Sequence, residues 1–423
     1  MKGIRFVFVL FVSAFVFASC DTEKPTVSMA QAVEAADTKA IDYYLKHGQS
    51  AKQKNQAGTP FIILAIQKAN IPLINLLLAA GADPNEPDAA KNMTPLMWAV
   101  SLGNNEITKL LLKAGADPNA VSAKQTPALF YAVGKNNKEL LQTLLEGNAD
   151  PSIQDGDGMN ALILAAGNNH ADMVTALLSA RVDINAAASE NKITALMAAS
   201  KKGHLPMVEM LLSLKADPNL QDSFGNTALA FACQGGSAQI VAALLHAGAD
   251  IHKTTNDKIT PLMWASTFKH AGVIPILLEA ENNINARNSN GATALLIASG
   301  GNVATLDQVR TVRSLLSAKA DPNIADNAGN TPLMMSGSND NTFIAQQLLA
   351  AGANVNAQNI LGYTPLMMGV FSGNKKFIEL LIGQGANLNI KDKSGKTALE
   401  LAREKGNPEI VTLLSGNGAQ KQK

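Results

Sequence analysis

A hexapeptide that recurs at a nearly constant interval constrains this chain more than any other feature. Thr94-Pro-Leu-Met-Trp-Ala99 reappears letter for letter as Thr260-Pro-Leu-Met-Trp-Ala265, and degraded copies follow one another along the sequence. The closing residue falls at positions 65, 99, 132, 165, 199, 232, 265, 298, 336, 369 and 402, so that all gaps are 33 or 34 residues except one of 38. Such a period predicts a stack of small repeated units that bury their apolar faces on their neighbours.

Each repeated unit has the pattern of two helices and a turn. Thr94 can cap the first helix with its hydroxyl, and Pro95 suits the first helical position, where a missing N–H costs nothing. In the second helix, Ile107, Leu110 and Leu111 stand at i, i+3 and i+4, which predicts that these three residues form its buried stripe. The unit is therefore expected to be an antiparallel helix pair with a protruding connection to the next pair.

The repeat resembles the ankyrin repeat over roughly residues 28–416. Besides the Thr-Pro-Leu signature, the motif Asp-Pro-Asn recurs at 83–85, 117–119, 217–219 and 321–323. The resemblance implies an all-α ankyrin-repeat solenoid of about 12 helix-turn-helix repeats with protruding β-turn or hairpin loops. The N-terminal repeat lacks Thr-Pro-Leu and the last one is polar, as capping repeats should be.

Several positions depart from the family pattern. The His that usually follows Thr-Pro-Leu is replaced by Met, which should exchange a hydrogen bond for apolar packing between repeats; the positions are Met97, Met197, Met263, Met334 and Met367. The turn glycine is replaced by Asn92, Lys124, Lys192 and Lys258, and each Lys should add strain of about 1 kcal/mol if its φ is positive. The gap of 38 predicts a bulging loop at 300–304 between the two helices of one repeat.

The first twenty residues indicate export. Lys2 and Arg5 precede the apolar run 6–17, which is typical of a secretory signal and shorter than the roughly 20 apolar residues of a spanning helix. The following Phe17-Ala18-Ser19-Cys20 resembles the lipobox of bacterial lipoproteins, although Phe17 stands where an aliphatic residue is usual. The resemblance implies cleavage before Cys20, lipid attachment to its sulfur and a place in the bacterial cell envelope, in the periplasm or at the outer surface. The alternative is an ordinary cleaved leader.

These patterns predict the following organisation: a signal peptide at 1–19, a lipidated N-terminal linker at 20–27, an N-terminal capping repeat at 28–57, about 11 further repeats at 58–416 of which the last is a cap, and a disordered tail at 417–423.

Charge and motifs argue against catalysis and nucleic-acid binding. Lys plus Arg number 35 and Asp plus Glu 34, so there is no excess of positive charge to offset phosphates. His170, His204 and His270 occupy equivalent places about 10 Å apart in a helical stack, too far to share one zinc ion. Asp155-Gly-Asp157-Gly lacks the remaining ligands of a calcium loop. We therefore expect no enzyme activity, no cofactor and no metal, and we expect Cys233 to be a small buried residue.

Candidate binding residues lie at the variable places of the repeat. Trp98 and Trp264 stand where the family has a framework Leu, so buried packing is expected for them. In ankyrin repeats the residues before the cap and at the end of the first helix line a concave groove, and an apolar column there would be an exposed patch. The candidate partner-binding residues are Met93, Leu102, Lys135, Met159, Asn168, Ile193, Lys201, Lys202, Phe224, Ile259, Phe268, Tyr363 and Phe371. The alternative is that they only pack one hairpin against the next.

The sequence thus favours a non-enzymatic, monomeric scaffold that binds a protein partner on its concave face and meets the membrane only through the lipid on Cys20. Two alternatives stay open. One is a structural spacer or envelope scaffold, and the other is a surface effector or adhesin that engages host proteins.

Overall fold

The computed structural model describes residues 24–280, 283–301, 305–337 and 342–418. The predicted signal peptide at 1–19, Cys20 and residues 419–423 of the predicted tail lie outside the described residues. Within the described ranges the chain forms 24 α-helices and two isolated bridges, without an extended strand. This confirms the prediction of an all-α fold. None of the helices in these ranges is long and apolar enough to cross a membrane.

The chain divides into two compact units, Met1–Asp117 and Pro118–Lys423. In the first unit the helices are α1 Met29–Ala35, α2 Thr38–Lys46, α3 Phe61–Gln67, α4 Ile71–Ala79, α5 Pro95–Leu102 and α6 Asn105–Lys113. In the second unit they are α7 Ala128–Gly134, α8 Lys138–Glu146, α9 Ala161–Gly167, α10 Ala171–Ser179, α11 Ala195–Lys202, α12 Leu205–Ser213, α13 Ala228–Gly235, α14 Ala238–His246, α15 Pro261–Thr267, α16 Ile274–Glu279, α17 Ala294–Ser299, α18 Leu306–Ser317, α19 Pro332–Gly337, α20 Thr342–Ala350, α21 Pro365–Ser372, α22 Lys375–Gly383, α23 Ala398–Glu404 and α24 Pro408–Gly416.

Consecutive helices pair into repeats, which we number 1 (α1–α2) to 12 (α23–α24). Within each unit, each first helix packs on the first helix of the neighbouring repeat, and most second helices pack on one another in the same way. Repeats 1–3 form the first unit and repeats 4–12 the second. Each repeat is too thin for a core of its own, so its apolar residues are buried between successive pairs.

The repeated Thr starts the first helix as predicted. Thr260 Oγ1 accepts the backbone N–H of Met263 at 3.1 Å, and Asn160 replaces the Thr in its repeat by accepting from Ile163 at 2.9 Å. In repeats 2 and 4 the Thr-Pro pair is shifted by one residue. Pro60 and Pro127 there hold the N-cap position themselves, without a side-chain cap.

That shift corrects one predicted turn residue. Asn92, Lys192 and Lys258 do adopt left-handed conformations, with φ of 52°, 56° and 60°. In repeat 4, however, the left-handed residue is Gln125 with φ 58°, and the prediction of Lys124 is wrong. The reason is that in repeats 2 and 4 the helix begins one residue later relative to Thr-Pro than in the repeats where Thr is the N-cap.

The core of each repeat also differs in one place from the predicted stripe. Ile107 and Leu111 are fully buried, but Leu110 is half-exposed, and Thr108 is buried in its stead. Thr108 tolerates burial because its hydroxyl donates to the carbonyl of Asn104 at 2.7 Å. The methionines that replace the family His are all buried, as expected for apolar packing; they are Met97, Met197, Met263, Met334 and Met367.

Irregular gaps in the period have two structural causes. In the 34-residue repeats the turn is one residue longer: the N–H of Ala188 donates to Ile193 across five residues, whereas Thr255 donates to Ile259 across four. The gap of 38 falls in repeat 9, where α18 has 12 residues instead of the nine of α14. Part of the insertion is therefore an extra helical turn rather than a loop, while residues 302–304 of the predicted loop lie outside the described residues.

Two sets of hydrogen bonds tie neighbouring repeats of the second unit together. In the first set, the turn of one repeat donates a backbone hydrogen bond to the turn of the preceding repeat. The Asn256 N–H donates to the carbonyl of Phe224 at 2.9 Å, and the Lys393 N–H donates to the carbonyl of Leu361 at 3.0 Å. In repeat 7 the position in this turn is suited to glycine, because Gly225 has φ 82° and a Cβ there would lie 2.8 Å from the nitrogen of Asn256. The asparagine of each Asp-Pro-Asn motif supplies the second set, as Asn219 does for repeat 8.

Candidate functional site

The connecting turns fold over the first helices of the same repeats. Lys91 in the turn of repeat 3 places its ammonium 5.8 Å from the centre of the Trp98 ring, and Tyr363 in the turn of repeat 11 meets Phe371 edge to face at 4.9 Å. Turns and first helices therefore share one surface, which we call the hairpin face. All predicted partner-binding residues lie in these turns or near the ends of these helices.

The structure divides these candidates by exposure. In the first unit Met93 is buried, with 6% of its surface exposed, whereas Leu102 is exposed. Met93 therefore contributes little to the exposed surface of the hairpin face. In the second unit the exposed candidates are Lys135, Asn168, Lys201, Lys202, Phe224 and Phe268. The half-buried ones are Met159, Ile193, Ile259, Tyr363 and Phe371.

Phe224 and Phe268 stand out among them. Phe224 lies at the tip of the turn of repeat 7 and is 67% exposed, and Phe268 follows the first helix of repeat 8 and is 50% exposed. The centre of the Phe268 ring lies 6.1 Å from that of Trp264 and 6.1 Å from that of His270, and its plane is nearly parallel to both. An aromatic side chain in such stacked contacts presents apolar area at the surface, and it loses little further conformational entropy when it is covered.

The two tryptophans differ from the prediction of buried packing, because both are half-buried. Trp98 Nε1 donates to the carboxylate of Asp88 at 2.6 Å. The corresponding turn position in repeat 8 is Thr255, which offers no carboxylate, and Trp264 Nε1 is buried without a hydrogen-bond partner among the described residues. Each indole therefore lies on the hairpin face of its own unit and is not fully buried between helices.

Basic side chains accompany the aromatic ones. Lys201 at the end of α11 holds its ammonium 5.4 Å from the centre of the Phe231 ring on α13, which joins repeats 6 and 7. In repeats 11 and 12, Lys405 lies 5.8 Å from the Phe371 ring, while Lys396 pairs with Glu404 at 2.6 Å. Lys396 thus has an acidic partner, whereas Lys201 forms no ion pair with any of the described residues.

The histidine column has a structural role that the sequence did not reveal. His170 Nδ1 contacts the carbonyl of Val133 at 2.9 Å, and His270 Nε2 contacts that of Gln234 at 2.9 Å. Each ring therefore caps the end of the preceding first helix, 36 or 37 residues earlier in the chain. No group of three potential metal ligands occurs among the described residues.

Other reactive groups are also engaged in the fold. Asp155 Oδ1 accepts the backbone N–H groups of Asp157 and Met159 at 3.1 and 2.9 Å, so this carboxylate stabilises a turn. Cys233 is fully buried, and burial raises the pKa of its thiol well above the usual range. A thiol in this state does not supply the thiolate that nucleophilic catalysis requires.

Sequence reasoning overlooked three residues of the hairpin face. Ile360 beside Leu361 is exposed at the tip of the turn in repeat 11. Lys269 follows Phe268 in a left-handed conformation, and Lys405 covers Phe371. Lys405 stands three residues after Ala402, as Phe268 does after Ala265, so alignment of the repeats by position would have found it.

The comparisons with known proteins agree with this architecture. The family model described as Ankyrin repeats (3 copies) matches residues 29–122, 129–222, 212–288, 229–326, 272–359, 302–392 and 338–423. A stretch of 121 residues is 34% identical to the poly [ADP-ribose] polymerase tankyrase of Caenorhabditis elegans, covering 27% of this chain and 5% of that protein. Another of 111 residues is 33% identical to an ankyrin repeat-containing protein of Treponema pallidum (strain Nichols), covering 26% of this chain and 36% of that protein.

The ankyrin repeat domain of Bcl-3 is among the solved structures that are similar to this chain. It is 29% identical with a TM-score of 0.47, and the match covers 51% of this chain and 96% of that one. The chain thus spans well under two thirds of the curated relatives it matches.

Proposed function

Because this chain belongs to the ankyrin-repeat family, we propose that it is a non-enzymatic scaffold that holds a protein partner on its hairpin face. Ankyrin repeats generally mediate protein–protein interaction. The observation that carries the proposal here is the exposure of Phe224 and Phe268 on the hairpin face of the second unit. Exposed aromatic residues on a rigid surface are the usual anchors of protein interfaces.

The way the repeats are joined supports this proposal. The backbone of Phe224 is fixed by the bond from Asn256, and its turn requires glycine at position 225. The Phe268 ring stacks with the rings of Trp264 and His270. A partner that docks on such positions does not have to order a flexible loop first, so less of the binding free energy is lost to entropy.

The proposal includes export and lipid anchoring, for which the support is the sequence Phe17-Ala18-Ser19-Cys20 after an apolar run. Two or three acyl chains on Cys20 would hold the scaffold stably on a membrane of the bacterial cell envelope. Metabolic labelling with palmitate tests this part. Label that is present in the wild type and absent from Cys20→Ala supports the anchor, and label that persists unchanged in Cys20→Ala overturns it.

Site-specific photo-crosslinking tests the binding function. A photoreactive amino acid placed at Phe224 or Phe268 should crosslink to the same protein in the producing cells. The same amino acid at Phe343, which is 70% exposed on the second helix α20, serves as the control away from the hairpin face. Crosslinks of equal yield from all three positions, or from Phe343 alone, would contradict the proposal.

A structural spacer is the second candidate function, because the asparagine bridges fix the separation of successive repeats. Deletion of one whole repeat shortens a spacer, whereas substitution of Phe224 and Phe268 leaves its length unchanged. A cellular phenotype that follows repeat number and ignores both Phe substitutions would favour the spacer. An adhesin that engages host proteins would use the same face and is distinguished by exposure of the chain to protease added outside the cell.

A further inference from the structure

The ends of the first helices in repeats 6 to 8 carry charge of one sign only. Their first helices and the loops that follow, residues 195–207, 228–241 and 261–274, contain Lys201, Lys202 and Lys269 but neither Asp nor Glu. None of these three lysines forms an ion pair with the described residues, in contrast to Lys396, which lies 2.6 Å from Glu404. Among the described residues, therefore, no carboxylate neutralises these three ammonium groups at this end of the helices.

Contacts between neighbouring repeats link Lys201 to the aromatic residues, and Lys202 and Lys269 are adjacent in the chain to residues of this group. Lys201 on α11 covers the Phe231 ring on α13 at 5.4 Å. His270, after α15, reaches the carbonyl of Gln234 at the end of α13 at 2.9 Å, and its ring stacks on Phe268. The ends of α11, α13 and α15 are thereby linked. The patch consists of Lys201, Lys202, Phe231, Trp264, Phe268 and Lys269, and we call it the lysine–aromatic patch.

The acidic residues in the turns of these repeats form no ion pair with the three lysines among the described residues. Glu190 and Asp257 are in the turns, before the N-terminal ends of α11 and α15. Asp222 is buried and accepts the backbone N–H groups of Phe224 and Asn226 at 2.9 and 2.7 Å. As far as the structure describes this region, the patch therefore presents positive charge and apolar area at one end of the helices, with no carboxylate paired to its lysines.

We propose that the lysine–aromatic patch binds an acidic protein segment that carries an aromatic or aliphatic anchor. Carboxylates of the segment pair with the three lysines, and the anchor packs against the exposed Phe268 ring beside Trp264. A basic segment is repelled at the same place, since the Debye length of about 8 Å at physiological salt does not screen charges in contact. This inference rests on the proposed protein-binding function and specifies the chemistry of the partner.

Selection of random twelve-residue peptides displayed on phage against the full chain tests the inference without assuming a partner. The selection is repeated with the triple variant K201E/K202E/K269E and with F268A, each checked for an unchanged circular dichroism spectrum and urea midpoint. The control is K375E, since Lys375 lies on the second helix α22 beside Glu409. We expect peptides enriched in Asp and Glu together with Phe, Leu or Trp from the wild type and the control.

The triple variant should lose this enrichment and select neutral or basic peptides. For the most enriched peptide, binding is followed by the fluorescence of Trp264 in W98F, where it is the only tryptophan. We expect the emission to shift on binding, and the triple substitution to weaken the affinity about tenfold or more, because three exposed ion pairs become repulsive.

The outcomes separate this inference from the proposed function. If the selected peptides are not enriched in Asp and Glu, and F268A no longer selects them, the partner is not acidic, but the hairpin face still binds protein segments. Acidic peptides that bind the triple variant as well as the wild type overturn the patch as their site. If the wild type enriches no peptide but binds vesicles of phosphatidylglycerol, both the inference and the protein-binding function are wrong.

Discussion

The side-chain amide of Asn219 in repeat 7 forms two hydrogen bonds with the backbone of repeat 8, at Asp250 and Gly248. Its Oδ1 accepts the Asp250 N–H at 2.7 Å, and its Nδ2 donates to the neighbouring carbonyl of Gly248 at 3.0 Å. Asn323 forms the same pair of bonds with Asn354 and Gly352 at 2.7 and 3.1 Å. One amide thus satisfies two backbone groups of the next repeat, which explains why the motif Asp-Pro-Asn recurs with the period.

Loss of the two hydrogen bonds of the Asn219 side chain should destabilise the second unit. We expect Asn219→Ala to lower the free energy of unfolding by about 1–2 kcal/mol, because two partly exposed hydrogen bonds are lost. Urea unfolding followed by circular dichroism measures the change. The control is Asn168→Ala, because Asn168 is an exposed asparagine that follows α9. This substitution should change the free energy of unfolding by no more than about 0.5 kcal/mol. Equal effects of the two substitutions would show that the amide bridge does not hold the repeats.

The left-handed residue of repeat 4 gives a test with neighbouring positions. Gln125 has φ 58°, so Gln125→Gly should relieve strain and raise stability by about 1 kcal/mol. Lys124 is not among the residues with positive φ, and Lys124→Gly should lower stability by about 0.5–1 kcal/mol through chain entropy. The urea midpoints should therefore move in opposite directions. A gain from Lys124→Gly and a loss from Gln125→Gly would place the turn as the sequence first predicted.

Gln308 should hold repeat 9 together around its insertion. Its buried Nε2 donates to the carbonyls of Ala298 and Gly300, both at 2.7 Å, at the end of α17. Gln308→Ala would leave two carbonyls without their partner and cost about 2–3 kcal/mol. Hydrogen exchange should show faster exchange of α17 amides in the variant. Unchanged exchange in α17, with Asp307→Ala as the surface control, would show that the insertion is stabilised by other contacts.

The last repeat should lose stability in acid through Glu400. Its carboxylate accepts the backbone N–H of Thr397 at 2.7 Å and the hydroxyl at 2.9 Å, and these bonds lower the pKa of Glu400. A lowered pKa in the folded state means that the stabilisation is complete above the unfolded value of about 4.3 and disappears as pH falls through the folded value.

Glu400→Gln separates the contribution of the carboxylate charge to helix stability from that of the capping geometry, since Gln can also complete a capping box. At pH 7 we expect amides of α23 to exchange more slowly in the wild type than in Glu400→Gln, after correction for intrinsic rates. At pH 3 this difference should be small or absent. A difference that is the same at both pH values would assign the stabilisation to the geometry of the cap alone.

The sequence predicted the fold well because its period and its helix starts are local properties. Thr260, Pro261 and the turn glycines act within a few residues, and the structure has them where the pattern predicts. Leu110 was predicted wrongly because spacings of i, i+3, i+4 and i, i+1, i+4 both fit one helical stripe. Only the packed neighbour decides which of them is buried, and it is Thr108.

The site was harder to predict because it depends on contacts between repeats. The acceptor of His270 is a backbone carbonyl 36 residues earlier, which no sequence pattern indicates. The exposure of Phe224 follows from its place at the tip of a turn. The half-exposure of Trp264 follows from how the turn covers the first helix. These facts require coordinates.

Quantitative capture of proteins by the full chain and its variants in the producing cells tests the central claim most directly. We compare wild type, F224E/F268E on the hairpin face and F343E on the second helix α20, with crosslinking before lysis and mass spectrometry of what is captured. The account predicts one or more proteins captured equally by wild type and F343E and about tenfold less by F224E/F268E, at unchanged urea midpoints. Equal capture by all three proteins would contradict a partner on the hairpin face.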